Sequence, residues 1–243
     1  MYSRYCGGVP KVSLNTENGI KIAGMEVSDS MLIRLGWLLP LTTVVTSMTI
    51  HAFSGNARAI PFFVSESDYP GPERMVFTTG LAITGVVICI LAYRLSLMVR
   101  EQDSKLKRIS LPFGILSGLS LSVLAFANMY DALLLHTITT VLVFVGGFIW
   151  GVSMHIMHSN VVFQTSKLRK AGLWMTGMGI LTMNLSLGAY IFWKRESLDL
   201  VNPQFEILNQ IQPAINIAAP AEYLLIVGLM VSLASIGRDL QKN

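Results

Sequence analysis

Three ionisable side chains sit inside long apolar stretches of this sequence: His51, His136 and Glu222. A group of that kind is costly in hydrocarbon and raises a functional hypothesis by default. All three lie toward the same end of their stretches, so they could converge on one pocket. A histidine can take up and return a proton near neutral pH, and a carboxylate can orient it. His136 as general base or acid, with Glu222 as its orienter, would suit acid–base work on a lipid. The plainer reading makes His136 a neutral, hydrogen-bonded packing residue. Glu222 follows Ala218-Ala219-Pro220. A helix starting at Pro220 would leave it a first-turn acid on the helix dipole. A start near Ala214 would bury it and demand a partner, and span length favours this, because a helix begun at Pro220 would run past Arg238.

A second set of acids lies in "FFVSESDYPGPERMVF", Phe62 to Phe77, between two apolar runs. Glu66, Asp68 and Glu73 share it with Pro70 and Pro72, which push Tyr69 and Gly71 toward extended or turn geometry. Glu73 falls in the first turn of the following helix, where a carboxylate complements the dipole. A rigid loop of this kind suits the wall of a site, so Ser65, Glu66, Asp68, Glu73, His51, His136 and Glu222 are the candidate ligand-binding residues. The loop could equally be a lid with no site beneath it.

His51 follows Ser47 by four residues, on one helix face, which resembles the serine and histidine of membrane hydrolases of the alkaline ceramidase type. The last span lacks the further histidines those enzymes use. His155 and His158 have a metal-compatible spacing but no third ligand nearby, and read as an interfacial pair. No phosphate-binding glycine loop, nucleophile elbow or cysteine metal motif occurs, so neither a metal nor a cofactor is expected.

The elements that must position these residues are membrane spans. The chain is 52% hydrophobic and 13% charged, against about 25% charged in soluble domains. Runs long enough to cross a hydrocarbon core, about 20 residues each, occur near 31–53, 75–99, 109–129, 132–157, 173–193 and 214–236. The fold class expected is all-α, a polytopic bundle of six transmembrane helices over residues 31–243. Residues 1–30 are expected to be a flexible extension, with Ser28 to Ser30 capping the first helix. Cys6 and Cys89 are too far apart to pair.

Lysine and arginine gather in the tail, the second and fourth connections and the C-terminus, which places both termini in the cytoplasm. Most of the acids then fall on the outer side. Those after the fifth span (Glu196, Asp199 and Glu206) read as solvated loop acids. The basic balance reflects topology and anionic headgroups and gives no reason to invoke nucleic acid. "GILSG" (114–118), "GFIWG" (147–151) and "GMG" (177–179) read as helix-packing signals. Asn128 and Asn184 read as interhelical hydrogen-bond donors.

The first loop, the run from His136 to Ser159 and "APAEYLLIVGLMVSLASIGRDLQ" (219–241) together resemble the damage-regulated autophagy modulator (DRAM) family, within a wider group that includes Frag-type, Sfk-type and CWH-type N-terminal domains. The resemblance covers about Met31 to the C-terminus and carries over to Ser65, Asp68, Pro72, Glu73, His136 and Glu222. It implies a non-enzymatic lipid-binding or regulatory protein in trafficking, autophagy or lipid distribution, residing in an endomembrane or the plasma membrane. Membrane lipids, membrane proteins or a second copy are its expected partners. A GPI-anchor-like lipid-remodelling enzyme is the alternative, with His136 and Glu222 as its catalytic pair. A proton-coupled carrier using Glu222 is a third reading, without the internal repeats transporters commonly show.

Overall fold

The computed structural model describes residues 20–22, 25–98, 104–159, 166–195 and 204–241. Residues 1–19, with Cys6, lie outside them, as do Glu196, Asp199 and the side chain of His158. Within the expected flexible extension, two short strands, β1 (Ile20–Ile22) and β2 (Met25–Val27), pair antiparallel with Ile20 opposite Val27. Ser28 then caps α1 (Asp29–Phe53), its hydroxyl accepting from the Met31 N–H at 3.3 Å.

The other helices are α2 (Pro72–Met98), α3 (Ser104–Leu124), α4 (Leu133–Ser159), α5 (Ser166–Lys194), the short α6 (Gln204–Gln210) and α7 (Gln212–Gln241). Five of them, α1, α2, α4, α5 and α7, are long and apolar enough to cross a membrane. Helix α3 corresponds to the expected third span but is shorter, and Lys105, Lys107 and Arg108 occupy its first turns. It ends at Leu124 rather than near Met129, because the next residues form a turn held by Asn128. That side chain accepts from the Tyr130 and Asp131 N–H groups and donates to the Asp131 carboxylate. Asn128 is therefore a turn former and not an interhelical donor. Asn184 likewise bonds the Ile180 carbonyl of its own helix at 2.8 Å.

Around the bundle, neighbours run α1, α2, α3, α4, α5, α7 and back to α1. Apolar side chains face outward as well as inward: Val45, Val86, Leu119 and Leu181 are all exposed. A helix that is apolar on its outer face as well as its inner one belongs in lipid. Two seams are tight enough to bring main chain against main chain. A Cβ on Gly118 would lie 2.7 Å from the Gly85 carbonyl oxygen, and one on Gly228 would lie 2.5 Å from that of Gly172. The first seam joins α2 to α3 and the second joins α5 to α7. Gly179 extends the second, with the Ala221 carbonyl 2.6 Å from its Cβ position. Of the expected packing motifs, Gly118 and Gly179 serve such approaches, Gly114 makes room for the Ala92 and Trp150 side chains, and Gly177 is looser, with Phe148 3.4 Å away. At the end of the bundle where α1 starts, Arg94 on α2 grips Asp29 on α1 with two parallel bonds of 2.8 Å.

These seams predict a sharp contrast between substitutions of one residue type. Gly228→Ala should cost about 1–3 kcal/mol through overpacking. Gly188→Ala, with open space around its Cβ position, should be neutral or stabilising by up to about 1 kcal/mol through helix propensity. Thermal unfolding in detergent checks both; equal Tm values for the two variants would refute the seam.

Candidate functional site

The connection from α1 to α2 closes one end of the bundle. Its residues Val64–Ser67 form a single 3-10 turn, and the turn is pinned from several sides. From α7, the Glu222 carboxylate accepts the Val64 N–H at 2.8 Å, and the Tyr223 hydroxyl donates to the Phe62 carbonyl. One helical turn before Asn216, at the start of α7, Gln212 donates to the Pro61 carbonyl at 3.0 Å and accepts from Arg58. From α1, Ser47 meets Ser67 at 3.2 Å. From the α3–α4 connection, the Tyr130 hydroxyl donates to the Glu66 carbonyl at 3.0 Å.

The loop acids are committed inside this cap. Glu66, 1% exposed, is held by the Arg58 guanidinium at 2.7 and 2.8 Å and by the Phe63 N–H at 2.9 Å. Glu73 accepts from Asn56 at 2.9 Å and faces His51 at 3.5 Å. The His51 ring also packs edge-on against Phe62. Arg74 donates two bonds to the Asp68 carbonyl and pairs with its carboxylate at 3.2 Å. Burial outweighs the guanidinium, and the Asp68 carboxyl is pushed up to about 6, with a further upward contribution from Asp131. Burial and the Glu66 charge also push the Tyr130 hydroxyl up.

Below the cap, a cavity runs along the bundle axis with about 140 Å³ of room for the centres of water-sized spheres. Val64, Ser65, His136 and Glu222 line its capped end. Helix α7 begins at Gln212, so Glu222 lies well inside the helix and is buried. His136 sits in the first turn of α4, where its Nδ1 faces the Ala127 carbonyl at 2.8 Å. A carbonyl can only accept, so Nδ1 carries a proton, and in a neutral ring this leaves the lone pair on Nε2. The Ala127 main chain therefore orients His136, and no hydrogen bond joins it to Glu222.

Of the seven sequence candidates, Ser65, His136 and Glu222 line one cavity. Glu66, Asp68, Glu73 and His51 do not line it; they are locked within the cap. His51 thus stays apart from the other two intramembrane groups, because Glu73 and Phe62 hold it above them. Ser47 and His51 are both buried but turn to different partners, Ser67 and Glu73, so they form no nucleophile–base pair. Among the described residues no three His, Cys, Asp or Glu side chains come together in a metal-binding group.

The model of the Frag1/DRAM/Sfk1/Cwh43P N-terminal domain matches residues 30–243. The chain belongs to that family. Comparisons with curated proteins and with solved structures find no match. The domain match begins one residue after α1 starts, leaving the β1–β2 hairpin outside the family domain of this Frag1/DRAM/Sfk1/Cwh43P chain.

Arg58, Asn56, Gln212 and Tyr223 were not singled out in the sequence as cap residues. Only Arg58 carries a signal, as a lone cation in a loop containing buried acids. Truncating it strands the Glu66 charge, so Arg58→Met should cost about 3–5 kcal/mol, with partial recovery in the Arg58→Met/Glu66→Gln double variant; chemical denaturation measures both.

Asp68 holds its proton more tightly folded than unfolded. Its contribution is therefore fully present below about pH 4 and lost as pH rises through about 6. Asp68→Asn should flatten that part of the pH–Tm profile, and an unchanged slope between pH 4 and 6.5 would contradict the assignment.

Proposed function

We propose that this multi-pass membrane protein of the Frag1/DRAM/Sfk1/Cwh43P family binds a lipid chain in its central cavity and acts without catalysis, in lipid distribution or membrane trafficking, autophagy included. In this reading α3 also crosses the membrane and brings the spans to six, both termini are cytoplasmic and the α1–α2 loop is the extracytoplasmic cap.

One observation carries the proposal: an apolar slot inside the bundle, walled by Phe77, Leu81, Val143, Phe144 and Leu229 and closed at one end by a polar plug. Along α7 the lining runs from Glu222 to Ile236, which at 1.5 Å per residue is roughly 21 Å. An apolar lining of that length suits a hydrocarbon chain. The cap acids support a non-enzymatic role because each is bound to a structural partner.

The remodelling enzyme remains as a second reading, favoured by the presence of the His136 lone pair and the Glu222 carboxyl in one cavity wall. There His136 would be the acid–base group, with Glu222 stabilising its charged form across the slot.

Native mass spectrometry with lipid extraction tests the binding. Wild type should carry lipid, and Gly147→Leu, whose side chain would enter the slot, should lose it about tenfold or more while remaining folded. Wild type that neither retains nor takes up lipid would end the proposal. His136→Ala separates the two readings: unchanged lipid composition in cells expressing it supports the non-enzymatic role, and lost turnover supports the enzyme.

A further inference from the structure

A threonine in an apolar helix commonly turns its hydroxyl back onto a carbonyl one turn earlier. Thr42, Thr49, Thr84 and Thr139 all do so. Thr140 does not: it lines the slot, and its buried Oγ1 has no hydrogen-bond partner among the described residues. His136, four residues earlier on the same face of α4, also lines the slot. Its Nδ1 is given to the Ala127 carbonyl, and its Nε2 bonds no described residue. On α7, Glu222 gives one carboxyl oxygen to the Val64 N–H, and the other bonds no described residue.

Packing sets these groups in register. Helices α4 and α7 both begin at the cap: the Tyr130 hydroxyl, just before α4, bonds the Glu66 carbonyl, and Gln212, which opens α7, bonds the Pro61 carbonyl. The two helices therefore run in the same direction. Leu225 and Ile226 of α7 pack in one apolar cluster with Val143 and Phe144 of α4. One turn toward the cap from that cluster lie Glu222 on α7 and Thr140 on α4, so the two line the slot at one depth, with His136 a turn nearer the cap. Val64 and Ser65 wall the same end, and the Ser65 hydroxyl meets the Met129 sulfur at 3.4 Å, in the connection whose Ala127 carbonyl holds His136.

A buried hydroxyl without a partner costs free energy, and a ligand group that bonds it removes the cost. The set is rich in acceptors: a carboxyl oxygen, an imidazole nitrogen that accepts in the neutral ring, and a threonine hydroxyl that accepts or donates. A ligand head seated among them must bring its own hydrogen. A phosphate brings oxygens and negative charge toward Glu222, and an alkyl ester brings no donor. A hydroxyl brings one donor and accepts in return, which serves Thr140 together with either neighbour. Next along the slot come Val143, Phe144 and Leu229, which suit an alkyl chain.

We propose that Thr140, His136 and Glu222 form a head site at the capped end of the slot, which takes a single-chain lipid by a hydroxyl head, of the monoacylglycerol or long-chain alcohol kind. The chain then lies along the slot away from the cap. This rests on the lipid-chain reading above and adds the head that is chosen and the way round the lipid sits.

The test titrates monooleoylglycerol, methyl oleate and oleoyl lysophosphatidic acid, which share one chain, into the delipidated full chain in non-ionic detergent, read by native mass spectrometry and thermal shift. Wild type should prefer monooleoylglycerol to methyl oleate by about tenfold, the worth of one or two hydrogen bonds, and should bind the phosphate-bearing lipid more weakly than monooleoylglycerol. Thr140→Val keeps the side-chain shape and removes only the hydroxyl, so it should cut the preference about threefold or more while leaving the lipid-free Tm unchanged or higher. Thr140→Ser, which keeps the hydroxyl, should retain the preference. Equal binding of monooleoylglycerol and methyl oleate by wild type, an equal or tighter grip on the phosphate-bearing lipid, or a preference unchanged in Thr140→Val overturns the head site and leaves the lipid-chain reading standing. Binding of none of the three overturns both.

Discussion

A carboxyl group placed inside an apolar helix must find a donor, and the donor Glu222 finds is the main-chain N–H of Val64, 158 residues earlier in sequence. Unpaired polar groups are expensive where water is excluded, so this bond specifies where the first loop must sit. The neighbouring contacts follow from it. Tyr223 reaches the Phe62 carbonyl and Gln212 the Pro61 carbonyl, so the first turns of α7 read successive main-chain groups of the loop. The loop thereby becomes a plug with a fixed shape, and the bundle acquires a closed end.

The charges inside the plug serve geometry more than stability. A buried ion pair such as Arg58–Glu66 returns little net energy against desolvation, yet breaking it is costly. That asymmetry penalises alternative loop arrangements. Arg94–Asp29 does similar work at the other end, fastening α1 to α2 with a two-bond fork. Between these fixed ends, the glycine seams draw α2 against α3 and α5 against α7.

The cavity follows from the ring order. Helix axes pack about 8–10 Å apart, so a ring of helices leaves a centre that only side chains can fill. Here several inward positions are glycine: Gly36, Gly147 and Gly151 line the void. Close packing at the seams and open space at the axis thus come from the same residue type, separated by which face of the helix carries it. The result is a slot lined by Glu222 and His136 toward the cap and by Arg169 toward the start of α5.

Much of this protein is legible in its sequence because the bilayer imposes a length and an apolar composition that a linear reading detects. The long helices, the helix entry at Pro72, the Ser28 cap and the burial of Glu222 all follow from local residue types. The errors have local causes as well: Asn128 ends α3 early through a side-chain turn, and Asn184 satisfies itself on its own helix. What sequence could not decide is which acids are free. Glu66, Asp68 and Glu73 looked like a ligand wall, and His51 looked like a partner for His136 and Glu222. Only the tertiary fold assigned Arg58, Arg74 and Asn56 to those carboxylates and left His51 above the cavity. Arg169 reads in sequence as one of several basic connection residues, and its burial depends on α5 seating against α7 through Gly172 and Gly228. Hydrophobic length is a property of a segment, and so it was determined by sequence alone. Pairing of buried polar groups depends on which distant segments meet, and that was decided only by the packed bundle.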